Sequence, residues 1–239
     1  MLINIGFISR FSFPAILLET YCFICCFART MILKLNESNL REATHLLAER
    51  DETMAKVFRQ YGYPPLWSRE PGFATLIHMI LEQQVSLASA NAAFNRLSQY
   101  LSGQITPERL LQISDEAMRE IGFSRQKTNY ARALAEALIH KHLDLSQLDQ
   151  LSDAEAKTTL IALKGIGVWT ADIYLSECLM RTDILPKGDI AMLEAFRVLN
   201  QLDERPDHTY FESATEHWRP WRSVGSRMLW HFYLCERKK

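Results

Sequence analysis

The 239-residue sequence lacks the ligand spacings that announce metal or redox chemistry. Of its five cysteines, Cys22, Cys25 and Cys26 crowd the N-terminus, while Cys178 and Cys235 stand alone. There is no CxxC…CxxC pair, no Cys/His zinc pattern and no four-cysteine cluster loop, so neither a metal centre nor an iron–sulfur cluster is expected. Reduced thiols of a cytoplasmic protein fit this usage. An excess of charge of one sign is also missing. The 27 Lys+Arg against 28 Asp+Glu leave a net charge of -1. That excludes a protein that coats nucleic acid through bulk positive charge, but it leaves room for a local basic face. Long apolar runs are absent as well. FSFPAILLETYCFICCFA is Phe-rich, yet Glu19 interrupts it, and its unbroken runs fall short of the roughly 20 residues a membrane span needs. Arg10 gives this stretch the charged end of a signal peptide, but no clear small-residue cleavage site precedes Met31. The amphipathic, charged pattern begins just past Met31. Met31 is therefore read as the natural start, residues 1–30 as an extension outside the fold, and residues 31–239 as the folded domain.

Strand alternation, internal repeats and long linkers are absent too. What is present from Glu37 onward is helical periodicity. NLREATHLLAER, GFATLIHMILEQQ, SLASANAAFNRLSQYL and QKTNYARALAEALIHKHL all place apolar residues three and four apart. Gly- and Pro-bearing breaks fall at YGYPPLWSREPG (residues 61–72), SGQITPE and IGFSRQ. Ser152 and Glu155 form a capping-box pair, and Thr106-Pro107 sets a cap with proline at the first helical position. These signals predict an all-α protein of about ten helices in two helical lobes with a cleft between them. A monomer is expected.

The most informative stretch is LKGIGVWTADIYL, Leu163 to Leu175. The helix capped by Ser152 should run to about Leu163 and a second should start near Val168, with only KGIG between them. Glycine admits positive φ and close approach. So tight a hairpin leaves the first N–H groups of the second helix pointing outward, which suits a phosphate. Ile166 can then fold inward, and Lys164 would flank the anion. A plain helix–turn–helix corner explains the same residues by sterics alone. Further on, DILPKGDIAMLEAF places Asp189 after a Pro-Gly loop at a helix start. Such an aspartate is most often a simple N-cap.

Together, LKGIGVWTADIYL and LPKGDIAML resemble the helix-hairpin-helix and Gly/Pro-Asp signature of the DNA base-excision glycosylases. ILEQQVS (Ile80 to Ser86) resembles the segment that enters the minor groove beside an extruded base. HWRPWRSVGSRMLWHFY resembles a segment of the 3-methyladenine DNA glycosylase II branch. The likeness spans about Pro71 to Tyr233 and implies a compact member without the strand-rich N-terminal domain that some members carry.

The resemblance implies double-stranded damaged DNA as partner and a flipped-out base as the reacting group. It makes Asp189 the catalytic carboxylate, stabilising positive charge on the deoxyribose. Trp169 and Trp230 become base-pocket residues, suited to cationic alkylated purines. Gln84 falls at the wedge position and Gln83 beside it is a further DNA-binding candidate, with a polar helix surface as the alternative for both. Phosphate contacts are expected from Gly165, Gly167, Lys164, Arg125 and Lys127, and hairpin carbonyls are candidates for a monovalent cation. In bifunctional relatives such as endonuclease III, a Schiff-base lysine stands where this chain has Trp169. An indole is no amine nucleophile, so monofunctional hydrolysis is implied. Ile173 and Ile190 replace tyrosines that relatives can carry, leaving a less aromatic pocket. Arg219 and Arg222 fit structural roles and DNA contacts equally well, and His78, His140 and His142 show no partner pattern. The rival readings are a same-fold enzyme for another lesion (mismatched, deaminated or oxidised) and a non-enzymatic DNA-binding module.

Overall fold

The computed structural model describes residues 33–237. The extension assigned to residues 1–30 lies outside the described residues. Twelve α-helices follow one another among them: α1 (Glu37–Arg50), α2 (Glu52–Tyr61), α3 (Phe73–Glu82), α4 (Leu87–Tyr100), α5 (Pro107–Leu111), α6 (Asp115–Ile121), α7 (Arg125–Ile139), α8 (Asp153–Ile161), α9 (Val168–Ile173), α10 (Ile190–Leu199), α11 (His208–Ala214) and α12 (Arg222–Glu236). The sole strand-like pairing among the described residues is an isolated bridge between Lys34 and Arg181. The helices begin where short polar side chains can satisfy their first N–H groups. Ser152 and Glu155 form the expected capping box, and Thr106 caps α5 with Pro107 inside the first turn. Asn36 and Asn39 form a second box at α1, while Ser86, Ser114, Ser124 and Asp207 cap α4, α6, α7 and α11. Each such cap contributes about 1 kcal/mol.

Two hydrophobic cores result. One gathers residues from Phe73 to Ile184 and is built on α3 to α9, with Leu76, Ile77, Leu97, Leu134 and Leu160 at its centre. The other joins the two ends of the described chain: Leu40, Leu47 and Met54 of α1 and α2 pack with Met192, Phe196, Phe211, Trp218, Met228 and Leu229. Trp230 touches both. The chain enters the first core after α2 and returns to the second between Ile184 and Leu185, a few residues ahead of α10.

Polar side chains pin the long loop 62–72 in place. Arg227 of α12 is fully buried and donates to four carbonyls: Leu66 (2.7 Å), Ser176 (2.8 Å), Ser223 (3.1 Å) and Trp67 (3.4 Å). Burial lowers its pKa to about 10, which leaves the charge in place at neutral pH. Arg69 reaches Glu82 with two contacts (2.9 and 3.0 Å) and Glu177 with its Nε (2.7 Å). Burial disfavours the Arg69 charge, but the two carboxylates outweigh it and raise its pKa. The same loop holds Trp67 at φ 40°, left-handed backbone that a bulky residue adopts only when its surroundings impose it.

The second core also depends on one close approach. A Cβ at Gly225 of α12 would lie 2.3 Å from Cε3 of the fully buried Trp218 ring. The Trp218 indole is itself fixed by its N–H donating to Asp51 at 2.8 Å, so the ring has no free direction to move. Gly225→Ala is therefore expected to destabilise the fold by about 1–3 kcal/mol, read as a lowered midpoint in chemical denaturation. An unchanged midpoint would mean that the ring relocates freely.

Candidate active site

The hairpin joins α8 to α9 through residues 162–167. Helix α8 stops at Ile161 with Ala162 as its C-cap, slightly earlier than the apolar pattern suggests, and α9 begins at Val168 as expected. Ile166 is buried in the first core, so it anchors the turn from inside. Lys164 stands exposed beside it.

The two glycines have different reasons. Gly165 has φ +93°, and a Cβ there would lie 2.2 Å from Cγ of Tyr130 on α7. Both the backbone and the packing require it. Gly167 has an ordinary φ of -84°, is exposed, and a Cβ there would meet nothing within 4 Å. Nothing inside the fold requires a glycine at 167. As N-cap of α9 it also supplies no capping side chain.

Asp189 is the N-cap of α10, and both of its oxygens are engaged. Oδ1 accepts the Met192 N–H at 2.9 Å, and Oδ2 accepts the Trp169 Nε1–H at 2.9 Å. It is thus the ordinary N-cap and something further. Its side chain, 9% exposed, faces a cavity of about 720 Å³. An ionised carboxylate has about four acceptor sites, so two internal bonds leave capacity for a ligand or water. The same cavity is lined by Gly165, Gly167, Trp169, Gln83, Gln84, Glu82, Tyr130 and Ile190. The structure thereby collects the hairpin, the ILEQQVS segment and the Asp189 loop around one opening.

Other residues fall elsewhere. Gln83 does not project outward; its Nε2 donates to the Gly165 carbonyl at 2.8 Å and to Thr170 Oγ1 at 3.3 Å, tying α3 to the hairpin. It is half-buried and held by those two contacts. Gln84 is exposed at the rim with φ +57°, beside exposed Val85 and Leu87. Lys127 turns its ammonium inward to the Leu81 carbonyl at 2.7 Å, capping the end of α3, and burial lowers its pKa. Arg125, at the start of α7, is exposed. Arg219 and Arg222 both pair with Asp183, at 2.5 and 2.7 Å.

Trp230 does not line the Asp189 cavity. It lines a neighbouring one of about 390 Å³ together with Trp67, Leu87 and Leu234, and Ala191 borders both. Ile173 is buried in the core, whereas Ile190 is 63% exposed at the opening, so only the second bears on the aromaticity of the pocket. Sequence reasoning missed Tyr130, Glu82 and Trp67. Tyr130 and Trp67 arrive from distant elements that no local spacing marks, whereas Glu82 stands beside Gln83 within the ILEQQVS segment itself. Among the described residues, no group of three or more His, Cys, Asp or Glu is arranged to hold a metal, and no helix is long and apolar enough to cross a membrane.

This geometry coincides with a family assignment. Residues 77–221 match the model of the HhH-GPD superfamily base excision DNA repair proteins, and the chain belongs to that superfamily. It is 31% identical over 200 residues to DNA-3-methyladenine glycosylase 1 of Schizosaccharomyces pombe, covering 81% of this chain and 87% of that one. Among solved structures, it resembles a 3-methyladenine DNA glycosylase of the same yeast in complex with abasic DNA. That match has a TM-score of 0.74 at 31% identity and covers 79% of this chain and 95% of that one. A DNA-3-methyladenine glycosidase from Bacillus halodurans matches with a TM-score of 0.72 at 28% identity, over 82% and 91% of the two chains.

The two glycines should separate in stability measurements. Gly165→Ala forces a side chain into left-handed backbone and into the Tyr130 ring, so a loss of at least about 2 kcal/mol is expected. Gly167→Ala loses only a modest cap preference, below about 1 kcal/mol. Equal losses in denaturant melts would remove the distinction.

Proposed function

We propose that this protein is a monofunctional DNA glycosylase that extrudes alkylated purines of the 3-methyladenine type from duplex DNA and releases them by hydrolysis. The observation that carries this reading is the Asp189 carboxylate, held by the Trp169 indole and the Met192 N–H at a cavity whose rim is the hairpin. Cleavage of an N-glycosidic bond builds positive charge on the sugar. A carboxylate fixed beside that charge stabilises it without reorganising, and it can orient the attacking water through its remaining acceptor sites.

The bare Gly167, which the fold itself does not require, leaves the mouth of α9 open for a backbone phosphate, with Lys164 alongside. Arg125 is a further surface cation for the strand. Gln84 is the wedge candidate: exposed, in strained backbone and flanked by apolar Val85 and Leu87, it can fill the gap left by an extruded base. Trp169 would wall the cavity, with Trp230 and Trp67 in the adjoining space past Ala191. Among the described residues, no lysine lines the Asp189 cavity, which favours water over an amine as nucleophile. The chemistry needs no metal or redox cofactor.

Asp189→Asn is expected to abolish release of methylated purines while DNA affinity stays within a few-fold, because the lost charge acts on the transition state and not on phosphates. Single-turnover excision and a binding titration check both halves. Product strands should stay intact until alkali is added, and borohydride should trap no covalent adduct; a trapped adduct would refute the monofunctional assignment.

Trp230→Ala should cost more on cationic 3-methyladenine than on neutral hypoxanthine. Stacking on indole gains a cation about 0.5–2 kcal/mol beyond its area. Equal losses on the two lesions in single-turnover assays would make the ring a packing residue. Gly167→Ala should weaken binding to all duplexes alike, since backbone amides that meet phosphate carry no base information.

A further inference from the structure

Three residues beyond Trp169, almost one turn further along α9, lies Asp172. It is 1% exposed, and its two oxygens face two different elements. Oδ1 accepts from Nζ of Lys157, on α8, at 2.7 Å. Oδ2 accepts the backbone N–H of Lys187 at 3.1 Å. One carboxylate therefore joins both helices of the hairpin to the loop that ends at Asp189.

That loop has reason to need a tether. Lys187 and Gly188 are exposed, and Gly188 sits at φ +80° with open space where a Cβ would be. No atom lies within 4 Å of where a Gly188 side chain would begin. Its fixed points are the buried Pro186 on one side, the Asp172 contact at Lys187, and the Trp169 and Met192 contacts at Asp189. Trp169 and Asp172 stand three apart in the helix, so they project from the same side of α9 and grip the loop two residues apart.

We propose that Asp172 is a positioning residue for the excision reaction: through the Lys187 N–H it sets the height of the Gly188–Asp189 segment against α9, and so the placement of the Asp189 carboxylate relative to a phosphate seated on the hairpin. This rests on the reading of Asp189 as the catalytic carboxylate. A purely stabilising role is a poor account of the same contacts. Burying a carboxylate opposite a single lysine whose side chain is 34% exposed carries a desolvation cost that apolar packing would avoid. The pair makes sense as a geometric device. Reaction rates are sensitive to such devices, since misplacing a reacting group by about 1 Å can lower a rate about a hundredfold.

The test compares Asp172→Ala, Asp172→Asn and Asp172→Glu with the wild type. Single-turnover release of methylated purines and affinity for a duplex carrying an abasic-site analogue are measured for each. Asp172→Ala loses both contacts; its excision rate should fall about ten- to a hundredfold while affinity stays within about threefold, since the hairpin itself is anchored by Ile166 and Gly165. Asp172→Asn keeps an acceptor for the Lys187 N–H and should rescue the rate to within about threefold of wild type. Should Asp172→Ala fail to fold, Asp172→Glu carries the test. Its longer chain has room in the polar cavity of about 430 Å³ that Asp172 borders, keeps the charge for Lys157, and moves the acceptor away from Lys187. Its rate should fall at least about fivefold.

Three results would overturn the assignment: Asp172→Ala or Asp172→Glu excising at the wild-type rate, rate and affinity falling together by similar factors, or Asp172→Asn losing as much as Asp172→Ala. The wild-type arm separates the two levels. A wild type that releases no base refutes the glycosylase reading, whereas an active wild type matched by Asp172→Ala refutes only the positioning role.

Discussion

The bond from the Trp169 indole to Asp189 is the contact on which the site is organised. It crosses from the first core, where α9 is rooted, to the first turn of α10, which belongs to the second. Any shift of one core against the other must stretch it or carry it along. Asp189 answers to both sides at once, because its other oxygen closes the first turn of α10 through the Met192 N–H. A carboxylate bound at one point could swing about that bond. Bound at two points from two elements, it has a defined direction, and that direction is toward the cavity.

The surrounding polar groups serve the same end by different means. Gln83 draws α3 onto the Gly165 carbonyl, and Lys127 closes the end of α3 from α7, so the segment bearing Gln84 is held from both sides. Behind it, Arg69, Glu82, Glu177 and Arg227 fix the loop that carries Trp67. Burial raises the pKa of Glu177, and Arg69 opposes that rise. Ion pairs this buried are weak sources of stability, because desolvation consumes most of the Coulombic gain. They do impose geometry: through them α3 and α12 hold the loop that carries Trp67.

Local physics was readable in the sequence and long-range partnership was not. The Ser152 box, the Thr106-Pro107 start and the KGIG turn follow from side chains within four residues of one another, and all three stand in the structure. The inward fold of Ile166 was legible for the same reason. For residues whose contacts depend on a distant partner, the sequence does not reveal that partner. Gln83 finds its acceptor 82 residues away, Lys127 finds its carbonyl 46 residues away, and Arg222 meets Asp183 at a separation of 39. A polar side chain on a helix looks the same in sequence whether it meets water, a phosphate or a buried carbonyl. Trp230 illustrates the intermediate case: its motif was visible, but which of two adjoining cavities it lines depends on how α12 crosses α10.

The two glycines of the hairpin show how a structure can separate internal from external demands. A glycine whose absent Cβ would strike a ring is explained by the fold, and Gly165 is of this kind. A glycine with ordinary φ and empty space above it is not explained by anything the chain does to itself, and Gly167 is of this kind. A small side chain at Gly167 would be harmless to the folded protein and would occupy the space in front of the N–H groups that open α9. Under the function proposed above, the bare position suits a group that approaches backbone closely and accepts hydrogen bonds from it. Asp189 lines the same cavity as that mouth, and one helix, through Trp169, connects the two. A ligand with a phosphate at one end of its contact and a developing cationic sugar at the other would meet the two groups in the order the helix presents them.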